Sequence, residues 1–276
     1  MENSIKVIFG SVVYKKAQKY LEDFLVSVEN QAKGKFSLLL INDDINMEEL
    51  KKIVMQYSIE INIINIPNRT PVQLRIELLK WAKYEQADLL IIGDCDDVFS
   101  NTRVIDTIYT YMSKPKNIFY YNEIKDMHGK KIMPELPQSI QDFREIGEYN
   151  FLGLSNTALN IKEISYEFID SLLEYSDEVF DWYLFSRILL TGKQGKKVNG
   201  CYTMYRLHEN NIAGIQRFNE YNLRHEIEVK VKHYACLQSY HSYYAEKYWQ
   251  YKWLKKYKLL KKQENYFWWN LLKIVK

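Results

Sequence analysis

Between residues 5 and 97, short apolar runs alternate with segments whose apolar residues recur at helical spacing, and few architectures accommodate that order. Residues 6–13 form a β-branched strand run, with Gly10 and Ser11 marking a place where neighbouring structure comes close. Residues 17–31 carry Tyr20, Leu21, Phe24, Leu25 and Val28 on one helical face. A second apolar run, 36–41, ends in Asn42-Asp43-Asp44. Residues 47–57 predict a helix and 59–66 a strand, and Pro67 and Pro71 bound a loop. A further helix follows over 72–84 through Leu74, Leu78, Trp81 and Ala82, then a buried-type strand over 88–92 that runs into Asp94-Cys95-Asp96-Asp97. Strands alternating with helices predict an α/β domain with a mainly parallel central sheet. Such sheets bind ligands beyond the carboxyl ends of their strands, and both acidic clusters fall there.

Beyond Asp97 the order loosens. Residues 104–112 read as helix and 118–121 as strand. The polar stretch 125–150, with Pro134 and Pro137, reads as a long loop or lid. Residues 151–161 read as strand, 164–175 and 177–190 as helices, 198–207 as strand, and everything from 216 as helical and increasingly basic. The expected division is a catalytic domain over 1–215 and a helical, basic and aromatic extension over 216–276. A chain of 276 residues with 47% hydrophobic and 26% charged residues is globular in type. Cys95, Cys201 and Cys236 are widely spaced, which argues against a disulfide scaffold or a zinc motif and fits a reducing cytoplasm. The first residues lack the pattern of a secretion signal, and no apolar run is long enough to span a bilayer.

Three carboxylates within four residues, Asp94, Asp96 and Asp97, repel unless a cation joins them. Magnesium or manganese binds through one or two carboxylates plus substrate phosphates. Taken alone, the segment reads equally as an acidic turn in which Asp97 or Ser100 caps the next helix. Asp43-Asp44 reads as an acceptor for a base or ribose, or as a helix cap. Asp181 stands early in a helix among aromatics, where a carboxylate serves either as a general base or as favourable charge at a helix start. Residues 205–214, Tyr-Arg-Leu-His-Glu-Asn-Asn-Ile-Ala-Gly, cluster Arg206, His208 and two asparagines after a strand. Arginine and histidine suit a diphosphate or a metal, and an ordinary polar turn closed by Gly214 is the other reading.

Together these segments resemble the family-2 inverting glycosyltransferases of the GT-A fold. Those enzymes carry an Asp-Asp pair after the second strand, an Asp-x-Asp-Asp segment after the fourth and an acidic base on a later helix. Many bacterial members also show Tyr-Arg-x-His-x-x-Asn-x-x-Gly, which residues 205–214 match. The resemblance covers about residues 5–215. It implies nucleotide-sugar contacts at Ser11, Asp43, Asp44, Arg75, Asp94 and Cys95. It also implies a divalent metal, Mn²⁺ or Mg²⁺, on Asp96 and His208, and Asp181 as catalytic base. Asp97, Trp182 and Arg206 stand where diphosphate or acceptor contacts fall. The sequence departs from the family at Phe180, where Glu is usual, at Ile76, where Asn is usual, and after Asp44, where Gly and Ser are usual.

The implied activity moves a sugar from a nucleotide-sugar donor to a hydroxyl of a glycan or lipid-linked acceptor, in surface-polysaccharide synthesis. A sugar-phosphate nucleotidyltransferase is the alternative enzyme, although residues 9–19 offer only Gly10 with Lys15, Lys16 and Lys19 for a triphosphate. A non-catalytic carbohydrate-binding protein on the same fold is the other. Residues 246–276 hold nine lysines and two glutamates, +7, which leaves −4 for the rest of a chain whose total is +3. Wound as one helix, this stretch places Trp249, Trp253, Tyr257, Leu260, Phe267 and Leu271 on one face, with Lys252, Lys255, Lys258 and Lys262 opposite. That pattern implies peripheral contact with the inner face of a cell membrane, or a helix packed on the catalytic domain. Nucleic acid is not an expected partner, since the basic charge sits at one end and no nucleic-acid motif is present.

Overall fold

The computed structural model describes residues 5–31, 34–175, 179–207, 220–257, 261–262, 268–270 and 272–273. The alternating half folds as expected. Strands β1 (Val7–Val13), β2 (Ser37–Asn42), β3 (Ile61–Asn65) and β4 (Leu89–Ile92) are separated by helices α1 (Leu21–Glu29), α2 (Met47–Val54) and α3 (Pro71–Tyr84). The start of the first helical stretch is tighter than the periodicity predicts, because residues 15–20 form a 3₁₀ turn before α1. Asn46 caps α2 by accepting the N–H groups of Glu48 and Glu49, and Thr70 caps α3 with Pro71 at the first helical position.

Past the acidic turn come β5 (Val98–Phe99), α4 (Arg103–Ser113), β6 (Phe119–Lys125), β7 (Ser139–Ile140) and β8 (Thr157–Leu159). Helices α5 (Tyr166–Ser171) and α6 (Phe180–Leu190) precede the long β9 (Gly195–Met204), and α7 (Glu220–Leu237) and α8 (Ser242–Tyr257) follow. The expected strand over 151–161 shrinks to the three residues of β8. The polar stretch 125–150 is partly ordered, holding β7 and a 3₁₀ turn at Phe143–Ile146 that Asp142 and Glu145 box at its start.

The sheet runs β3-β2-β1-β4-β8-β6-β9-β5, with β7 also beside β9. Its first four strands are parallel, β8 is antiparallel to both β4 and β6, and β6 runs parallel to β9. Side chains alternate between two buried faces, as parallel strands covered on both sides require. Phe9, Leu38, Leu40, Leu89 and Ile91 pack under α1, α2 and α4. Ile8, Leu39, Ile41, Leu90 and Ile92 pack under α3, α5, α6, α7 and α8.

Residues on either side of the expected division at 215/216 share this second core. Trp182 of α6 stacks on His233 of α7 at 4.1 Å, and Tyr234, Tyr244 and Tyr251 are fully buried. The expected single C-terminal helix is corrected. α8 ends at Tyr257, and 261–262 pairs with 272–273 as antiparallel strand. Its packed face carries Tyr244, Tyr251 and Leu254, whereas Trp249 and Trp253 point outward. Leu260, Phe267 and Leu271 lie outside the described residues.

Candidate functional site

The acidic turn is built by the end of β4. The Gly93 N–H donates to the Gly10 carbonyl at 3.0 Å, and the Asp97 N–H returns to the Asp94 carbonyl at 3.1 Å. Gly93 is obligatory, because a Cβ there would lie 2.5 Å from the Phe99 ring and 2.8 Å from that of Phe9. The turn is then stitched to the far half of the sheet. The Asp94 N–H donates to Ser155 Oγ at 3.1 Å, and Ser155 Oγ donates to Asp97 Oδ2 at 2.5 Å. The Arg206 N–H donates to Asp97 Oδ1 at 2.9 Å. Asp97 is only 1% exposed. Burial pushes its carboxyl well above the usual carboxylate range, with Asp96 and Asp94 adding to the rise, and the two hydrogen bonds oppose it. Both its oxygens are thus engaged within the protein, and it holds the turn.

Asp94, Tyr14, Arg75 and Asp181 form one electrostatic group at the carboxyl ends of β1 and β4. Burial raises the Asp94 carboxyl, Arg75 lowers it and Asp96 raises it again. Asp181, half-buried in the first turn of α6, is pushed up to about 6 by burial, with Arg75 opposing and Asp94 reinforcing. One of its oxygens accepts the Trp182 N–H at 2.8 Å. The half-buried Tyr14 hydroxyl is raised by burial and by the charges of Asp96, Cys95 and Asp94. Sequence reasoning missed Tyr14, although its place at the end of β1 matches that of the acidic clusters. It also missed Ser155, whose neighbourhood to Asp94 depends on a strand pairing across more than sixty residues.

Arg206 is committed inside the protein. Its guanidinium donates to the Asp96 carbonyl at 2.9 Å and to Asp23 Oδ2 at 2.6 Å, and lies 4.5 Å from the Tyr20 ring centroid. At the other acidic pair, Asp44 accepts the Lys15 N–H at 2.6 Å and so anchors the 3₁₀ turn after β1 rather than capping α2. Asp43 is half-buried, with its carboxyl raised by burial and by Asp44. Three expected contacts are turned inward. Ser11 is fully buried, on the same face of β1 as Phe9 and Val13. The Cys95 thiol lies in the core under α1. Trp182 is fully enclosed, donating its indole N–H to the Ile146 carbonyl at 2.6 Å and stacking on His233. These three side chains cannot touch a ligand without the core opening.

His208 lies outside the described residues. Among the described residues no group of three or more histidines, cysteines or carboxylates is arranged around one point for a metal. Beside Asp97, the turn carries the carboxylates of Asp94 and Asp96. Such a pair suits a magnesium or manganese ion that takes its other ligands from water and phosphate oxygens.

No family model matches the chain, and no curated protein does. Solved structures do. TarS 1–349 of S. aureus in complex with UDP-GlcNAc superposes with a TM-score of 0.54 at 14% identity over 83% of this chain. The same protein in complex with UDP gives 0.58 at 14% identity over 90%. GalNAc-T7 with UDP, GalNAc and Mn²⁺ gives 0.54 at 14% identity over 76%. The chain spans 66%, 71% and 45% of these three structures in turn. These likenesses give this chain the GT-A fold.

Proposed function

We propose that the chain is a glycosyltransferase that moves a sugar from a nucleotide-sugar donor to a hydroxyl of a glycan or lipid-linked acceptor in surface-polysaccharide synthesis. The observation that carries this reading is the group formed by Tyr14, Arg75, Asp94 and Asp181 beside Asp96 at the carboxyl ends of β1 and β4. Complexes of similarly folded proteins with UDP-GlcNAc and UDP support a nucleoside-diphosphate donor.

In this reading Tyr14 and Asp43 contact the nucleoside, and Asp94 with Arg75 orients the ribose and diphosphate. Asp96, with His208, would hold a divalent ion. That ion, when bound, supplies positive charge against the leaving diphosphate. Asp181 acts on the acceptor. Its carboxylate takes the hydroxyl proton as that oxygen bonds to the anomeric carbon. The bond from that carbon to the diphosphate oxygen breaks, and the configuration inverts. A carboxyl held near 6 by burial is ionised at neutral pH yet basic enough for the task.

Calorimetry with a panel of nucleoside diphosphates, with and without manganese, tests the donor site. Metal-dependent binding of at least one nucleotide that Asp96→Ala abolishes, with the fold retained, is the expected result. Absence of binding across the panel, or unchanged affinity in Asp96→Ala, rejects the assignment. Donor hydrolysis measured with manganese then identifies the sugar.

A further inference from the structure

Helix α8 has two distinct faces. Tyr244, Tyr251 and Leu254 are buried against the rest of the molecule, and Lys247 pairs with Glu148 while Tyr251 Oη donates to the other Glu148 oxygen at 3.4 Å. The opposite stripe carries Glu246, Trp249, Lys252 and Trp253 in solvent. Trp249 is 61% exposed and Trp253 51%. Indoles are highly buried on average in globular proteins, so a pair one turn apart on an outward face is unusual. Lys252 stands between them, its ammonium donating to Tyr248 Oη at 3.0 Å and lying 4.8 Å from the Trp249 ring centroid. The helix opens the segment 246–276, whose +7 contrasts with the −4 of the rest.

We propose that the Trp249–Lys252–Trp253 face of α8 docks on the surface of an anionic lipid bilayer. Indoles settle at the water–hydrocarbon boundary, where the ring is shielded and the N–H stays wet, and lysines beside them meet anionic headgroups. The charge segregation favours a lipid surface over a protein partner: the basic end turns toward the anionic surface and the acidic body away. No helix among the described residues is long and apolar enough to cross a membrane, so the contact is peripheral. Docking of this kind is separate from the transferase reading, because it needs no donor and no residue of the acidic turn. It does orient the molecule, since Glu148 ties α8 to the segment that continues through Asn150 to Ser155.

The test uses the full chain and vesicles of phosphatidylcholine alone or mixed with phosphatidylglycerol. Expected are co-sedimentation with the anionic vesicles only, weakening with salt, and quenching of tryptophan emission by a lipid-borne quencher. The double variant Trp249→Ala/Trp253→Ala lowers partitioning at least about tenfold with an unchanged melting temperature. Should that variant not fold, Lys252→Glu, at an exposed position, is expected to weaken partitioning several-fold in a folded protein. A chain that ignores anionic vesicles overturns the proposal, as does a variant that partitions like the parent. A dimer in solution that the tryptophan variant dissolves would assign the face to a second copy instead. None of these measurements involves a nucleotide, so their failure leaves the donor reading intact.

Discussion

Ser155 and Asp97 share a hydrogen bond of 2.5 Å that joins the acidic turn after β4 to the 3₁₀ turn that leads into β8. Ser155 simultaneously accepts the Asp94 N–H, so one hydroxyl sets the positions of two acidic residues from the opposite half of the sheet. Asp97→Ala would leave that hydroxyl and the Arg206 N–H without an acceptor. Each buried group stranded in this way costs about 1–3 kcal/mol. Urea unfolding should show a loss of that order for Asp97→Ala and a clearly smaller one for Asp44→Ala, whose partner is exposed. Equal losses would show that the turn is not held through Asp97.

Asp181→Asn should keep donor binding and lose about 10²–10⁴-fold in transfer rate, the usual worth of a general base. In the parent, the rate should rise with pH through a limb near 6, where Asp181 ionises. A flat profile between pH 5 and 8, or transfer at the parental rate in Asp181→Asn, would assign the base elsewhere.

The same residue makes a stability prediction of opposite sense. Its carboxyl titrates higher in the folded chain than the ordinary 3.8, so the folded state binds the extra proton. Its contribution is therefore fully present below pH 3.8 and is lost as pH rises through about 6. Asp181→Asn should outlast the parent above pH 6 by about 3 kcal/mol, and the advantage should vanish near pH 4. Melting temperatures across that range measure it.

His233 works in the other direction. Burial, with Lys230 adding, holds its imidazole down to about 3, and neither ring nitrogen has a hydrogen-bond partner among the described residues. The unfolded chain protonates this histidine near 6.5, so stability falls as pH drops from there toward 3. His233→Phe keeps a ring against Trp182 and removes the titration. Its melting temperature should exceed the parent's more at pH 5 than at pH 8. An equal difference at both would mean that the imidazole is not neutral in the folded state.

Deleting residues 246–276 should unfold the protein, contrary to what a separable tail implies. The deletion removes Tyr251, Leu254, Trp268 and Trp269 from the core. Each large buried side chain contributes about 1.5–3 kcal/mol, against a total stability of about 5–15 kcal/mol. Circular dichroism of the truncated chain, showing either a folded domain with a cooperative melt or none, decides the matter.

The alternating half was legible because β1 to β4 are short apolar runs bounded by turn residues, and the sheet that buries both their faces tolerates nothing else. The acidic turn was legible for the same reason, since the end of a buried strand locates it. β8 was legible only as a longer strand over 151–161, because three residues lodged antiparallel between β4 and β6 leave little local signature of their limits. The faces of α8 were legible in part: Trp249 and Trp253 do share one face, but Lys252 stands between them rather than opposite, because Tyr244, Tyr251 and Leu254 take the packed side. Ser11, Cys95 and Trp182 sit at the expected chain positions, but strand alternation and helix packing turn their side chains into the core. Tyr14 shows the converse, a residue without acidic character whose position alone puts it beside Asp94 and Asp96.

The two cores also differ in when they can close. The layer under α1, α2 and α4 takes most of its residues from the first half of the chain, and it can seal while synthesis continues. The opposite layer begins with α3 but is completed by Tyr234, Tyr251, Leu254 and the indoles of Trp268 and Trp269, all made after every residue of the first layer. Until α7 emerges, a nascent chain therefore has one side of its sheet covered and the other open, and Trp182 has no stacking partner. That open side is the surface a chaperone would meet, and slowing translation before α7 should lengthen its exposure.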